Sequence, residues 1–513
     1  MRSGYGPAPM NHAVLAVALA ALSPVGARAE LQYDVPTTYR LRVDLVDPAP
    51  TDEEGTHTER HLVGRQRLRL RPTVRSTHLD VHLELDLMTG QIFGDSTTLG
   101  SRDAPSRWGD QENAYDGWTN IEPRMAFVEV RTPVGVIRAG QMGSAWGTGI
   151  LAQDGEDRTD GGTAGWHRSF GDAWNGDLVD RLLFATQPLS PILEGAVGDL
   201  TLVLGADWVW ADDQASFIEG DKAWQLVAAA VLPGARRSFG TYLAHREQTD
   251  GDLEVTKVTA FDATMTLMEA DLFKDVRLRL ISEAVYVTGT SQRQQRVVSS
   301  EVHDVDVRQL GWMARLDAAF QSPGIAAAIE VGYASGDSDP QDGEARAFTF
   351  DPDHHVGLVL FGEVLRDVSA RAAERVRDPA NVGVAPHGDE HLPSHGAVRN
   401  AVYLSPGLTF RANGLSTAIG VVTAWAAEPF ADPFATFRAG GVPTNAFGGT
   451  ASRFYGTEVD LYLGHHFPMP SLSAEAGLEA GVLFPSDALK GKGGTGGLDG
   501  PTGKAVARLD LRF

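Results

Sequence analysis

The amino-acid sequence predicts an all-β fold, a transmembrane antiparallel β-barrel of about 18 strands built as a single domain. Three observations carry this. Apolar and polar residues alternate with period two over stretches of roughly ten residues, repeatedly along the chain. The links between these stretches alternate between short turns and long polar segments. The last nine residues alternate too, with Ala505, Ala507, Leu509, Leu511 and Phe513 on one face and Arg508, Asp510 and Arg512 on the other.

The chain begins differently. Residues 1–29 have the layout of a cleavable secretory signal: Arg2, the apolar run 13–22, then Ala27-Arg28-Ala29, with the mature chain 30–513 starting at Glu30. The run of ten is too short to span a bilayer as a helix, which takes about 20 residues, and no later stretch comes closer. A helical membrane protein is therefore excluded. Of 513 residues none is Cys, which excludes a disulfide scaffold, a thiolate zinc site, an iron–sulfur cluster and a cysteine nucleophile. Lys and Arg total 44 against 67 Asp and Glu, a net charge of −23, so no nucleic-acid partner is expected.

The clearest strand is 79–87. Leu79, Val81, Leu83, Leu85 and Leu87 share one face, and Asp80, His82, Glu84 and Asp86 share the other. Before it, Arg65, Arg67, Arg69 and Arg71 alternate in the same way. A hairpin turning at Arg75-Ser76 would pair 71 with 80, 69 with 82, 67 with 84 and 65 with 86, setting an arginine ladder against the acids, with Pro72 near the turn. The same pattern places strand cores at 39–46, 64–72, 78–88, 124–132, 136–142, 179–187, 200–211, 223–232, 237–246, 255–267, 276–288, 307–319, 325–334, 398–410, 415–426, 454–466, 472–484 and 505–513. Even-numbered links such as Pro133-Val134 and 233–236 are short. The odd-numbered links 47–63, 89–123, 143–178, 289–306, 335–397, 427–453 and 485–504 are long and polar, the layout of short periplasmic turns and long extracellular loops.

A soluble sandwich of this length would break into several domains, and no linker is evident. Trp208, Trp210, Trp224, Trp312, Tyr333, Trp425 and Tyr455 fall near strand ends, where a bilayer's headgroups lie. Closing about 18 strands leaves an aqueous lumen. Charged strand faces must line it, because a charge facing lipid costs about 2–4 kcal/mol near the midplane. The expected pore-lining residues are Arg65, Arg67, Arg69, Arg71, Asp80, His82, Glu84, Asp86, Glu129, Arg138, Arg277, Arg279, Glu283, Glu458, Asp460, Arg508, Asp510 and Arg512.

The terminal strand ending in Phe513 resembles that of bacterial outer-membrane β-barrels, in which the last aromatic is the assembly signal; this implies the barrel-assembly machinery, outer-membrane lipid and lipopolysaccharide as partners. The segments 132–141, Trp146-Gly147-Thr148-Gly149-Ile150-Leu151, Gly171-Asp172 and 176–181 resemble an uncharacterised porin-like outer-membrane family of Gram-negative bacteria. Residues 455–461 and 480–485 are similar to the end of alginate-export porins, whose lumen is arginine-rich. Here Arg65, Arg67, Arg69 and Arg71 face acids and the chain is acidic, which argues against polyanion export.

Chemical motifs are few. There is no Gly-x-Ser-x-Gly and no His-Glu-x-x-His, and the Gly-rich stretch 491–504 lacks the spacing of a phosphate loop, so no enzyme is expected. Asp154, Asp157 and Asp160 could hold calcium or form a solvated acidic loop. His387, His391 and His395 are spaced as on a helix, which Pro393 spoils as a metal site. No cofactor is expected otherwise. Within 335–397, residues 357–366 run into the helix-like 370–377; this long loop either narrows the barrel as a constriction or caps its rim. The reading is a passive channel for small hydrophilic solutes, against a surface receptor or adhesin or a polysaccharide-export conduit.

Overall fold

A computed structural model describes residues 31–513 apart from 59, 96–120, 157–165, 175, 219, 235, 252, 274, 293–303, 321–323, 339–342, 378–392 and 495. Eighteen long strands form the wall: β1 Thr37–Val46, β2 Leu62–Leu70, β3 Leu79–Gly94, β4 Ile121–Thr132, β5 Gly135–Gly143, β6 Leu178–Thr186, β7 Thr201–Ala211, β8 Lys222–Leu232 and β9 Arg237–Thr249, then β10 Val255–Phe273, β11 Val276–Ser291, β12 Val305–Phe320, β13 Ile325–Ala334, β14 Ala401–Ala412, β15 Leu415–Phe430, β16 Ser452–Pro468, β17 Ser473–Pro485 and β18 Thr502–Arg512. Each overlaps one of the stretches that alternation marks in the sequence.

Every strand pairs antiparallel with its sequence neighbours. β18 then returns to β1, from Thr38 opposite Arg512 to Val46 opposite Lys504, and the sheet closes. Phe513 N donates to Thr37 O at 2.9 Å, so the last residue joins the first strand. Closure removes every long edge, which is why such a sheet can sit in lipid.

The two faces have the solvents that alternation assigned them. Leu204 on β7 is 63% exposed and Leu461 on β16 is 52% exposed, while the charged Glu283 on β11, Asp317 on β12 and Glu458 on β16 are 0% exposed. The barrel is thus apolar outside and charged inside. Trp208, Trp224, Trp312 and Trp425 project outward among the leucines. Tyr455 does not: it is buried, because a register shift between Ala424 and Trp425 lets Phe454 stack on Trp425 at 5.5 Å and turns Tyr455 inward against Phe430.

The first hairpin also differs from its expected register. Arg69 lies opposite Asp86, not His82, a shift of four residues. The turn is 76–79, where Ser76 N and Oγ both donate to Leu79 O and Leu79 N donates to Ser76 Oγ at 3.1 Å, rather than Arg75-Ser76. Pairing continues through Thr73–Arg75, opposite 80–82, so Pro72 interrupts the arm of the hairpin instead of flanking its tip. Of the turns at this end, 187–200 is longer than the alternation of links implied, with single helical turns at Gln187–Ser190 and Leu189–Leu193.

Candidate channel interior

The inward wall is a field of paired charges. On β2, Arg65 reaches Asp44 at 2.8 Å and Arg69 is bidentate on Asp86 at 2.6 and 2.8 Å. Arg71 reaches Glu84 at 2.8 Å, and Arg124 reaches the same carboxylate at 3.1 Å. Asp80 accepts from Arg131, and Glu129 lies opposite Arg138, which bonds it at 2.8 Å near the rim. His82 stacks on Phe127 at 4.6 Å. Across the barrel Arg279 meets Asp317 at 2.8 Å. On β18, Arg508 bonds Glu479 at 3.0 Å, Asp510 accepts from Arg40 at 3.0 Å, and Arg512 is exposed at the rim. A strand brings one side chain to this face every two residues, so Arg40, Arg42 and Asp44 belong to it as well; the alternation in 39–46 already carries that signal.

The lumen is not empty. The segment 143–178 is expected as an external loop; its described residues, 144–156, 166–174 and 176–177, fold inside the barrel and touch the wall nearly all round. Trp146 Nε1 donates to Asp262 at 2.8 Å and its ring stacks on Tyr242 at 5.1 Å. Thr148 N and Oγ1 both donate to Glu283, the hydroxyl at 2.6 Å. Glu156 accepts from Arg69 at 3.0 Å. Trp166 lies under Arg277 and Arg279, whose guanidinium carbons are 5.0 and 4.4 Å from its ring centre. His167 O accepts from Arg315 at 3.0 Å, and Arg168 bonds Glu475 at 2.9 Å. Asp172 takes Arg42 at 2.7 Å and Arg508 at 2.8 Å, midway along β1 and β18. Trp174 O accepts from Arg67 at 2.5 Å.

These contacts set the charge states of the segment. Burial works against the Asp172 carboxylate, yet Arg508, Arg42, Arg40 and Arg168 around it hold it well below the usual range. Burial, with Arg315 and Arg411 nearby, pushes the His167 imidazole down to about 3, so it is neutral. The interior fold of this segment follows from its content. Ile150, Trp166, Phe170 and Trp174 are all buried, and an external loop would leave three tryptophans in water. That aromatic content is the signal periodicity overlooks. Asp154 accepts from Glu156 N at 3.3 Å; Asp157 and Asp160 lie outside the described residues, and no metal-holding group of three ligands occurs among the described ones. His387 and His391 also lie outside the described residues.

A second segment, described over 335–338, 343–377 and 393–400, also packs inside the barrel. It carries a π-helical turn, Leu360–Leu365, continued by helix α1, Arg366–Arg377. Glu458 of β16 accepts from Leu358 N at 2.5 Å, Val359 N at 2.8 Å and Leu360 N at 2.7 Å. Glu363 bonds Lys504 at 2.6 Å and also takes Arg60. Phe350, Leu360 and Phe361 are buried, with Phe361 against Tyr403 at 6.3 Å between ring centres. The two segments touch: Asp351 N donates to Ile150 O at 3.0 Å, and Asp353 accepts from Trp174 N and Gly176 N at 2.8 and 2.7 Å.

Among the described residues, chambers lie between wall and segments, and two of them are edged by charge. One of about 230 Å³ is bounded by Asp177, Asp212, Gln225, Tyr242, Arg246 and Phe348. The other, about 130 Å³, is bounded by Arg42, Arg60, Arg65, Arg366 and Lys504, with Asp172, Asp353 and Glu363. Both linings mix signs, with Asp177, Asp212 and Asp213 beside Arg246 and Arg399 in the first, and cations in the majority in the second.

This architecture has counterparts among solved structures. OccAB1 of Acinetobacter baumannii superposes with a TM-score of 0.51 at 10% identity, over 95% of this chain and 98% of that one. The fold is that of an outer-membrane channel barrel. Pseudomonas aeruginosa OpdK with vanillate (TM-score 0.47, 11% identity, 94% and 98% covered) and OpdL (0.47, 10%, 94% and 98%) are further matches. No family model matches the chain, and no curated protein does.

Proposed function

We propose that this chain is a porin-like outer-membrane channel, of the uncharacterised Gram-negative family its segments 132–141 and 146–151 resemble, passing small hydrophilic solutes. It is exported by a signal cleaved before Glu30, and assembly reads Phe513. The observation that carries the reading is a closed 18-stranded wall, apolar outside and charged inside, with described residues of two inserted segments, among them 144–156, 166–174 and 343–377, packed within it. Solutes pass by size exclusion with an electrostatic bias from the chamber walls. Chambers of about 230 and 130 Å³ suit small solutes.

Swelling of proteoliposomes tests it. Vesicles holding the refolded 30–513 chain are expected to swell in small sugars and amino acids and to exclude trisaccharides; deleting 356–377 is expected to admit them. No swelling in any solute contradicts the reading and favours a receptor or adhesin acting through its loops. An unchanged size limit after the deletion removes 335–400 from the constriction.

A further inference from the structure

We propose that Glu458 and Glu283 are positioning residues: each is a wall carboxylate that captures the donors following a left-handed glycine of an inserted segment, and so sets where that segment crosses the lumen. The inference rests on the channel reading only for its conductance readout. At Gly357, φ is +73°, and the next three N–H groups, of Leu358, Val359 and Leu360, converge on Glu458. At Gly147, φ is +57°, and the N–H and hydroxyl of the next residue, Thr148, converge on Glu283. Successive backbone N–H groups in such a turn form an anion-binding concavity. Both carboxylates are 0% exposed. A Cβ at Gly357 would stand 2.7 Å from Glu458 Oε1, and one at Gly147 would stand 2.3 Å from Glu283 Oε2, so each glycine also permits the close approach. A left-handed glycine followed by donors that close on a wall carboxylate thus occurs twice, with three successive N–H groups at Gly357 and one N–H plus a hydroxyl at Gly147.

Glu458 was expected from alternation as a solute-facing charge. Its geometry is that of a latch. Burying a carboxylate is tolerable only when hydrogen bonds replace its water, and here the inserted backbone supplies them. Glu458→Gln keeps the shape and an oxygen for Leu358 N and Val359 N, but turns an NH2 group toward Leu360 N and removes the charge, which weakens the latch. The competing account is that packing of Val359, Leu360 and Phe361 alone seats the segment.

The chain has no cysteine, so introduced thiols report cleanly. In Leu358→Cys the thiol is expected to be shielded from an impermeant methanethiosulfonate; adding Glu458→Gln is expected to raise its labelling rate about tenfold as the segment opens locally. Gly357→Ala, acting from the loop side, is expected to do the same. Unchanged labelling in both folded, heat-modifiable variants overturns the proposal, whether or not the barrel conducts. A second arm uses Leu358→Cys with Gly481→Cys, whose Cβ atoms would lie 3.2 Å apart, just under the disulfide range of about 3.5–4.5 Å; the new Cβ at 481 would also stand 2.4 Å from Asp460 Oδ1, so the Asp460 carboxylate must rotate aside, and Gly481→Cys alone is the control. In the Glu458→Gln background, oxidation is expected to restore wild-type conductance and reduction to remove it again. Altered conductance that the disulfide does not restore means that Glu458 acts on passing ions directly, and overturns its positioning role. A wild-type barrel that never conducts defeats the channel reading, while the labelling result still decides the latch.

Discussion

Replacing 145–176 by a four-residue turn is expected to raise the single-channel conductance of the refolded barrel several-fold and to shift its reversal potential toward anion selectivity. The first effect follows from position: the described residues of this segment bond wall residues from β1 round to β18, with Asp172 midway along those two strands. The second follows from sign. The excised stretch carries five acids, Asp154, Glu156, Asp157, Asp160 and Asp172, against Arg158 and Arg168. Asp172 is the partner of Arg42 and Arg508, and Trp174 O that of Arg67, so removal bares wall cations to the solute path. Planar-bilayer recording in a salt gradient reads both quantities. Conductance equal to that of the intact chain would mean that the narrowing lies elsewhere.

Arg69→Met is expected to lower stability by about 3 kcal/mol, because it takes the bidentate counter-charge from buried Asp86, while Glu84 keeps Arg71 at 2.8 Å. Arg69 is 0% exposed; it is bidentate on Asp86, 3.2 Å from Glu84, and bonds Glu156. After the substitution Glu84 and Asp86 keep Arg124, at 3.1 and 3.8 Å. Urea unfolding in detergent micelles measures the loss. Arg69→Met with Asp86→Leu should recover much of it, since removing both partners leaves fewer unpaired charges. A single variant within about 0.5 kcal/mol of wild type, the scale of a surface substitution, would mean that this ladder is solvated.

The wall was legible because a barrel in lipid imposes one rule on every strand: alternate side chains face different solvents. Leu79 to Leu87 and Leu509 to Phe513 obey it without exception, and strand number and closure follow. Register was less legible, since it depends on turn chemistry and not on periodicity. The turn at 76–79, closed by backbone and hydroxyl bonds of Ser76 to Leu79, sets the first hairpin four residues from the expected register and gives Arg69 to Asp86. The interior plug was half legible. The helix-forming run before Arg377 marked 335–397 as unusual, whereas 143–178 looked like a polar loop because Gly and Asp outnumber its tryptophans. Periodicity says nothing about a segment with no repeating geometry, so Trp146, Trp166 and Trp174 had to be weighed as apolar area needing cover. The charged side chains split accordingly: Arg67, Glu283, Glu458 and Arg508 hold the plug in place, a role invisible while the plug was thought external.

The most direct test of the channel account is planar-bilayer recording of the refolded 30–513 chain at a series of salt concentrations. The account predicts steady open steps, of lower conductance than an unobstructed 18-stranded barrel would give, with a non-zero reversal potential in a salt gradient. A folded, heat-modifiable barrel that inserts and never conducts would contradict it.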